Sequence, residues 1–278
     1  MARPGLTIRS TVPLRGGVEI PVLGLGVYRA RPGMETRDAV RTALAIGYRH
    51  VDTARAYGNE PDVAAGIAAS GVRREEVFVT TKLWNSDHGY DATLRACDAS
   101  LARLEVERMD LYLIHWPVQG LRHETWRAME RILAEGKARA IGVSNYTIRH
   151  LEELRARANE PPSVNQVELH PFLPQRELVE WCVRRGIVVE AYAPLVKARR
   201  MDDPALRRVA AKHGRTPAQV LVRWALEHGL VAIPKSVREE RIRENADVFG
   251  FALDGQDLAA LDALDEGYRT SWDPTDAP

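Results

Sequence analysis

The amino-acid sequence predicts a (β/α)8 TIM barrel, and three observations support this fold. Strand-like runs alternate eight times with segments of helical apolar spacing, over the length of about 250 residues that is typical of such barrels. The connecting segments are short, and Gly136 and Gly186 stand where helices are expected to end. The first strand-to-helix turn, GLGVYR, lacks the third glycine of a doubly wound Rossmann sheet. We therefore expect a single barrel domain over residues 1–278.

The predicted elements follow one another in a regular order. Residues 12–24, VPLRGGVEIPVLG, form two short strands joined by Gly16 and Gly17, a hairpin that we expect to close the bottom of the barrel. The barrel strands end near GLGVY, YRHVDTA, VFVTTKLW, MDLYLIHW, ARAIGVSN, SVNQVEL, IVVEAYAPL and LVAIPKS. Amphipathic helices follow these strands. Two further helical segments, PALRRVAAKHG and DGQDLAALDAL, are predicted as additions near the C-terminus, and TSWDPTDAP as a loose tail.

Composition argues against several classes of protein. Lys and Arg number 39 against 38 Asp and Glu, so the net charge of +1 provides no overall field for nucleic acid or an anionic membrane. No run has the length and apolarity of a membrane span or signal peptide, so we expect a cytoplasmic protein. The two cysteines, Cys97 and Cys182, lie in helical segments and are expected in the core.

Polar side chains follow nearly every predicted strand, at the rim where a barrel of this kind carries its chemistry. They are Asp52, Tyr57 in the next loop, Lys82, His115, Ser144, Asn145, Gln166, Tyr192, Lys235 and Ser236. Each residue also has an ordinary interpretation. Lys82 could extend to the surface as its strand ends, and His115 could be a hydrogen-bonded core histidine. Their concentration at one rim favours a functional site.

The first four of these residues suit the reduction of a carbonyl group. A lysine ammonium near a tyrosine hydroxyl stabilises the phenolate, so we expect Lys82 to lower the pKa of Tyr57 from ~10. Asp52 keeps the lysine charged and oriented. A neutral His115 imidazole can orient a substrate oxygen, while Tyr57 protonates that oxygen as hydride reaches the carbon.

Several longer motifs occur in order along the chain. They are GYRHVDTARAYGNE at 47–60, LYLIHWP at 111–117 and IPKSVREERIREN at 233–245, with TTKLW, IGVSN and VNQVELHP between them. Together, from about Val12 to Tyr268, they resemble the aldo-keto reductase superfamily, especially its short bacterial members that are similar to 2,5-diketo-D-gluconate reductases. The resemblance implies NADPH bound across the rim and a catalytic tetrad of Asp52, Tyr57, Lys82 and His115, with Tyr57 as the general acid.

The nicotinamide end of such a cofactor needs its carboxamide held and one ring face covered. Ser144, Asn145 and Gln166 have side chains that can form these hydrogen bonds, and Tyr192 can stack, in agreement with the roles that the resemblance implies. Ser144 and Asn145 could instead cap the following helix. The predicted cofactor site also includes Gly26, Leu195 and Val237.

The phosphate end of the cofactor is predicted where a helix begins near Ser236. Ser236 and Glu239 fit a capping box, which by itself indicates only a helix start. Cations around this helix N-terminus suit a phosphate, and the extra positive charge favours NADPH over NADH. The resemblance assigns the 2′-phosphate and adenine contacts to Lys235, Ser236, Arg238, Arg241, Glu244 and Asn245.

Two other functions are compatible with parts of the sequence. Glu168 and His170, at a period of two, could join Asp52 and His115 in a metal site, but Lys82 would lie among them as a competing cation, so we expect no metal. A non-catalytic barrel that senses NADP(H) is the other alternative. The complete tetrad favours an enzyme.

The substrate pocket is expected to have aromatic walls. Tyr28, Trp84 and Trp116 lie next to the predicted centre, although each could be core packing. The chain ends soon after Trp272, which suggests an open site for small aldehydes, α-dicarbonyls and keto-sugar acids. We expect a monomer whose ligands are NADPH and a small carbonyl compound, with no nucleic-acid or membrane partner.

Overall fold

The structure is a computed structural model that describes residues 5–276 of the chain. Its strands are β1 Thr11–Pro13, β2 Glu19–Pro21, β3 Leu25–Gly26, β4 His50–Asp52, β5 Phe78–Leu83, β6 Met109–Ile114, β7 Ala138–Ser144, β8 Val164–Glu168, β9 Val188–Tyr192 and β10 Val231–Ile233. The α-helices of the described residues are α1 Met34–Ile46, α2 Glu60–Ser70, α3 Tyr90–Leu104, α4 Arg122–Ala134, α5 Ile148–Arg155, α6 Arg176–Val183, α7 Pro204–Lys212, α8 Pro217–Glu227, α9 Glu239–Ala246 and α10 Gly255–Asp262. The expected domain of 1–278 includes residues 1–4 and 277–278, which lie outside the described range.

The eight strands β3 to β10 form one sheet in chain order, and each neighbouring pair is parallel. Bridges from Leu23 to Ala232 and from Gly26 to Lys235 join its two edges. A side chain at Gly26 would place its Cβ 3.0 Å from the carbonyl oxygen of Ile233, so glycine allows this close approach. The predicted (β/α)8 barrel is confirmed. Helices α7 and α10, which pack against each other, are the predicted additions.

The hairpin of β1 and β2 lies across the amino ends of the barrel strands. Gly16 and Gly17 take the left-handed conformations that its turn requires, with φ of 78° and 75°. Its apolar side chains pack into the end of the barrel, in a cluster of Leu14, Val18, Ile20, Phe78, Leu111, Leu113, Ala140, Val164 and Val231. The hairpin therefore closes the bottom of the barrel, as predicted, and leaves the opposite rim for the polar residues.

The core lies between the barrel and its helices. All residues of β5 and β6 are buried, as expected of strands that are covered on both faces. Cys97 and Cys182 are free and buried, which confirms their predicted place in the core. Within residues 5–276, no helix has both the length and the apolar character needed to cross a membrane.

Two helix starts differ from those expected. Helix α9 begins at Glu239 with Arg238 as its N-cap, and Ser236 Oγ accepts a hydrogen bond from the Arg238 N–H, so the predicted capping box is wrong. Helix α5 is capped by the Thr147 side chain, which excludes Ser144 and Asn145 as its caps. Both predictions failed because the chain extends farther beyond the preceding strand before the helix begins.

The expectation of a loose tail is wrong for the described part of the C-terminal segment. The Thr270 N–H donates to Glu168 Oε1 at 2.7 Å, and the Ser271 N–H donates to Glu168 Oε2 at 2.9 Å. Lys197 Nζ donates to the Thr270 carbonyl oxygen at 2.6 Å. Although burial opposes ionisation, hydrogen bonds from His170, Thr270 and Ser271 lower the pKa of Glu168 to about 2. The carboxylate considered as a metal ligand is thus an anchor for the tail.

Candidate active site

The four tetrad residues are brought together at the carboxyl ends of three neighbouring strands. Asp52 ends β4, Lys82 is the penultimate residue of β5, and His115 follows β6 directly. Tyr57 ends a short 3-10 turn, Arg55–Tyr57, in the loop after β4. Because the strands are parallel, their carboxyl ends share one rim, and residues far apart in sequence become neighbours there.

Lys82 is completely buried and does not extend to the surface. Its Nζ donates to Asp52 Oδ1 at 2.6 Å, to Asp52 Oδ2 at 2.7 Å and to the Thr53 carbonyl oxygen at 2.8 Å. The same Nζ lies 5.2 Å from the centroid of the Tyr57 ring. The ion pair with Asp52 explains how an ammonium group can occupy the end of a buried strand.

Tyr57 and His115 face each other across the centre of the site. Their ring centroids are 5.7 Å apart and the ring planes are inclined at 75°. Burial, reinforced by the Asp52 carboxylate, raises the pKa of Tyr57 well above 10, opposite to the lowering expected from the sequence. The reason is that Asp52 offsets much of the positive charge of Lys82, so desolvation of the phenolate dominates. The hydroxyl is therefore protonated at neutral pH, as a proton donor must be.

His115 is uncharged at neutral pH. Burial, with a further contribution from the Lys82 charge, lowers its pKa well below 6.5, as expected for a neutral imidazole that orients a substrate. Its Nδ1 is buried and has no hydrogen-bond partner within residues 5–276.

The residues predicted at the nicotinamide end form one hydrogen-bonded group beside the tetrad. Ser144 Oγ donates to the Gln166 carbonyl oxygen at 2.8 Å, and Asn145 Nδ2 donates to the His115 carbonyl oxygen at 3.0 Å. The Tyr192 hydroxyl donates to Asn145 Oδ1 at 2.8 Å. Asn145 has a φ of 63°, a left-handed conformation that asparagine tolerates well. These contacts tie the ends of β6, β7, β8 and β9 together.

A buried acid that was not predicted from the sequence lies beneath this group. Glu190 in β9 is fully buried, and its Oε2 accepts a hydrogen bond from Gln166 Nε2 at 2.7 Å. Burial, together with the neighbouring Asp52 carboxylate, raises the pKa of Glu190 to about 8. The signal that could have revealed it is an acid inside the otherwise apolar strand run IVVEAY.

Aromatic rings lie beside Tyr57 and His115. The Tyr28 ring centroid lies 5.0 Å from that of Tyr57, and the Trp84 centroid lies 5.2 Å from that of His115. Trp116 contacts Trp272 of the C-terminal segment, with ring centroids 5.6 Å apart. Trp272 was not predicted at the site, and its place next to Trp116 means that the tail bounds the rim there.

The cations predicted at the phosphate end lie exposed at the start of α9. Lys235, Arg238 and Arg241 are all exposed, and the Arg241 side chain has no hydrogen bond or ion pair with any described residue. Although Lys235 is exposed, partial desolvation of its ammonium group lowers its pKa, and the positive charge of Arg29 adds to this effect, which places a further cation nearby. Arg29 was missed, although it directly follows Tyr28 at the same rim.

The remaining predicted cofactor residues surround these two ends. Ser236 and Asn245 are buried, Val237, Glu244 and Leu195 are half-buried, and Gly26 donates its N–H to the Pro234 carbonyl oxygen at 3.2 Å. Hydrogen-bonding groups at one end and exposed cations at the other fit an extended dinucleotide with an additional phosphate.

Comparisons with known proteins identify the family to which the chain belongs. Residues 23–266 match the Aldo/keto reductase family. The chain is 48% identical over 268 residues to the glyoxal reductase of Bacillus subtilis (strain 168), covering 96% of this chain and 97% of the relative. It is 48% identical to the 9,11-endoperoxide prostaglandin H2 reductase of Trypanosoma cruzi, covering 95% and 94%. The crystal structure of a Gox0644 mutant in complex with NADPH has a TM-score of 0.92 at 43% identity, covering 97% of this chain and 99% of that chain. The chain belongs to the aldo/keto reductase family.

Proposed function

We propose that this protein uses NADPH to reduce aldehydes and ketones to alcohols, with small aldehydes, α-dicarbonyls and keto-sugar acids as its substrates. The observation that carries this proposal is the buried Lys82 and Asp52 pair beside the Tyr57 ring. A buried ion pair is costly to retain, and here it lies against a proton-donating group on the functional rim of the barrel.

Each tetrad side chain has a distinct task in the proposed reaction. NADPH, when bound, supplies hydride to the carbonyl carbon. Tyr57, which its surroundings keep protonated, donates the hydroxyl proton to the carbonyl oxygen as negative charge develops there. The neutral His115 imidazole orients that oxygen by hydrogen bonding. Lys82, held by Asp52, stabilises the phenolate that remains after the proton has left.

The cofactor is held by two groups of residues in this proposal. Ser144, Asn145 and Gln166 bind the carboxamide, and Tyr192 covers one face of the nicotinamide ring. The exposed cations at the start of α9, led by the unpaired Arg241, bind the 2′-phosphate and so select NADPH over NADH. This assignment is supported by the NADPH complex of a relative. It is also supported by polar groups at both ends of the site, Gln166 Oε1 and the Arg241 side chain, which have no partner among residues 5–276.

The substrate class follows from the walls of the site and from one relative. Tyr28 and Trp84 lie beside the tetrad and offer apolar faces to a small carbonyl compound. The similarity to a protein named glyoxal reductase supports α-dicarbonyls.

A panel of carbonyl compounds with both reduced cofactors tests this proposal. Purified protein is assayed for oxidation of NADPH and NADH with glyoxal, methylglyoxal, a simple aldehyde, a keto-sugar acid and a bulky steroid ketone. We expect turnover of the small compounds, with higher kcat/KM for NADPH than for NADH. Turnover of only the steroid ketone would contradict the proposed substrates. Tight binding of NADPH without turnover of any carbonyl would instead favour a cofactor sensor.

A further inference from the structure

Glu190 has no role in the function proposed above, yet it occupies the interior of the barrel directly beneath the cofactor-binding residues. Its side chain is completely buried, and it lies opposite Gln166 in the register of β8 and β9. A buried carboxyl group is costly unless its polar atoms are bonded. Its Oε2 lies 2.7 Å from Gln166 Nε2, and its Oε1 lies 3.6 Å from His50 Nε2.

The amide of Gln166 is oriented by two acidic residues. Asp52 is ion-paired with Lys82, and a carboxylate oxygen can only accept, so the Gln166 atom 2.8 Å from Asp52 Oδ2 must be the amide nitrogen. The same nitrogen donates its second hydrogen to Glu190 Oε2. Both amide hydrogens are therefore used inside the barrel.

The two hydrogen bonds together fix the orientation of the Gln166 amide more fully than either bond alone. One acceptor decides which end of the amide faces the barrel interior, but the group can still pivot about that bond. A second acceptor, at the other hydrogen, fixes the plane of the amide. Gln166 Oε1 then has a fixed direction, and no donor among residues 5–276 is bonded to it.

We propose that Glu190 is a positioning residue for the cofactor: by holding the second amide hydrogen of Gln166, it presents Gln166 Oε1 as an acceptor for the carboxamide N–H of the nicotinamide. This inference rests on the proposed use of NADPH. It predicts that Glu190 affects recognition of the carboxamide group, and not the binding of the rest of the cofactor.

Cofactor analogues separate this role from a structural one. In the reduced 3-acetylpyridine analogue of NADPH, an acetyl group replaces the carboxamide, so the analogue lacks the N–H donor. Loss of one ordinary hydrogen bond corresponds to a preference for NADPH of about 3- to 10-fold. Dissociation constants for both compounds are measured by quenching of tryptophan fluorescence in the wild type, Glu190→Gln and Glu190→Met. A nucleotide fragment, 2′-phosphoadenosine 5′-diphosphoribose, serves as the control ligand because it lacks the nicotinamide.

We expect Glu190→Gln to keep the wild-type preference, because its amide oxygen can still accept the hydrogen bond. Glu190→Met, and Glu190→Ala if the Met variant does not fold, should bind both cofactors with similar affinity and bind the control fragment as the wild type does. Retention of the preference in the apolar variant would overturn the role of Glu190, as would an equal loss in Glu190→Gln. If the wild type binds neither cofactor, the proposed function itself fails.

Discussion

At the carboxyl ends of the barrel strands, Lys82 is buried and all three hydrogens of its ammonium group are bonded to Asp52 and Thr53. At the start of α9, Arg241 is exposed and has no ion pair among the described residues. Both regions are rich in charge. In the first region the charges are paired within the chain, whereas in the second Arg241 is exposed and has no such pair among residues 5–276.

In the proposed function, this difference separates the residues assigned to catalysis from those assigned to cofactor binding. Water and salt screen a buried charge only weakly, so the Lys82 and Asp52 pair can change how Tyr57 holds its proton. Exposed arginines contribute little to the stability of the fold, but their side chains remain available to a phosphate. Substitutions in the buried region should therefore lower turnover, whereas substitutions in the exposed region should weaken cofactor binding.

The largest effect is expected from Tyr57→Phe, which removes the proton donor but keeps the ring. General acid catalysis typically contributes about 100- to 10,000-fold, so kcat for a small aldehyde should fall by about that factor. NADPH affinity should stay within about twofold, because the hydroxyl is not among the groups assigned to the cofactor. Steady-state kinetics and fluorescence titration measure the two quantities. Tyr90→Phe, which removes a hydroxyl at the start of α3 outside the site, is the matched control. A kcat within a few-fold of wild type would exclude Tyr57 as the proton donor.

The sequence was sufficient for the barrel because alternating strands and amphipathic helices repeat along the whole chain. It was also sufficient to place Asp52, Lys82 and His115 at one rim, since they stand at or next to strand ends that a barrel brings together. The pKa of Tyr57 was predicted in the wrong direction. Burial and the offset of one charge by another are properties of the packed interior, and they dominate that pKa.

Other features depend on contacts across long stretches of the chain. The tail anchor joins Glu168 to Thr270, which are 102 residues apart, and no local pattern indicates such a bond. Glu190 was visible as an acid within an apolar strand, but its importance depends on Gln166 and Asp52, which lie on other strands. Sequence periodicity predicts which face of an element is buried, but it does not predict the partners of a polar group there.

The second prediction concerns the exposed region. Arg241→Ala should raise the dissociation constant of NADPH by about 10- to 100-fold, the range expected for a charge-assisted hydrogen bond. NADH, which lacks the 2′-phosphate, should be nearly unaffected. Arg243→Ala is the matched control, since Arg243 lies on the same helix but pairs with Glu239 at 2.8 Å. Equal weakening of both cofactors by Arg241→Ala would contradict a contact with the 2′-phosphate. Added salt should weaken NADPH binding in the wild type more than in Arg241→Ala.

In the buried region, Glu190 should make the stability of the fold depend on pH. The carboxyl group of Glu190 is surrounded by titratable and polar groups from other strands, namely His50, Asp52, Tyr57, Lys82 and Gln166. Burial, followed by the Lys82 charge, lowers the pKa of His50 to about 3, so this imidazole stays neutral above that pH. Glu190, with a pKa raised to about 8 by burial and the Asp52 carboxylate, is thus a group in this region that titrates within the ordinary working range of pH.

Burial and the Asp52 carboxylate raise the pKa of Glu190 to about 8 in the folded protein, from an ordinary value of 4.5. Between these values the folded state binds one more proton than the unfolded state, so the free energy of unfolding falls as pH rises. Glu190→Gln lacks this proton. The wild type should therefore lose stability relative to the variant by at most about 1.4 kcal/mol per pH unit, measured by urea denaturation from pH 5 to pH 8. Glu107→Gln, which replaces an exposed acid before β6, should follow the wild type. If the free energies of unfolding of the wild type and Glu190→Gln change in parallel with pH, Glu190 is already ionised in the folded protein. A nearby positive charge, instead of protonation, would then have to offset the cost of burying its carboxylate.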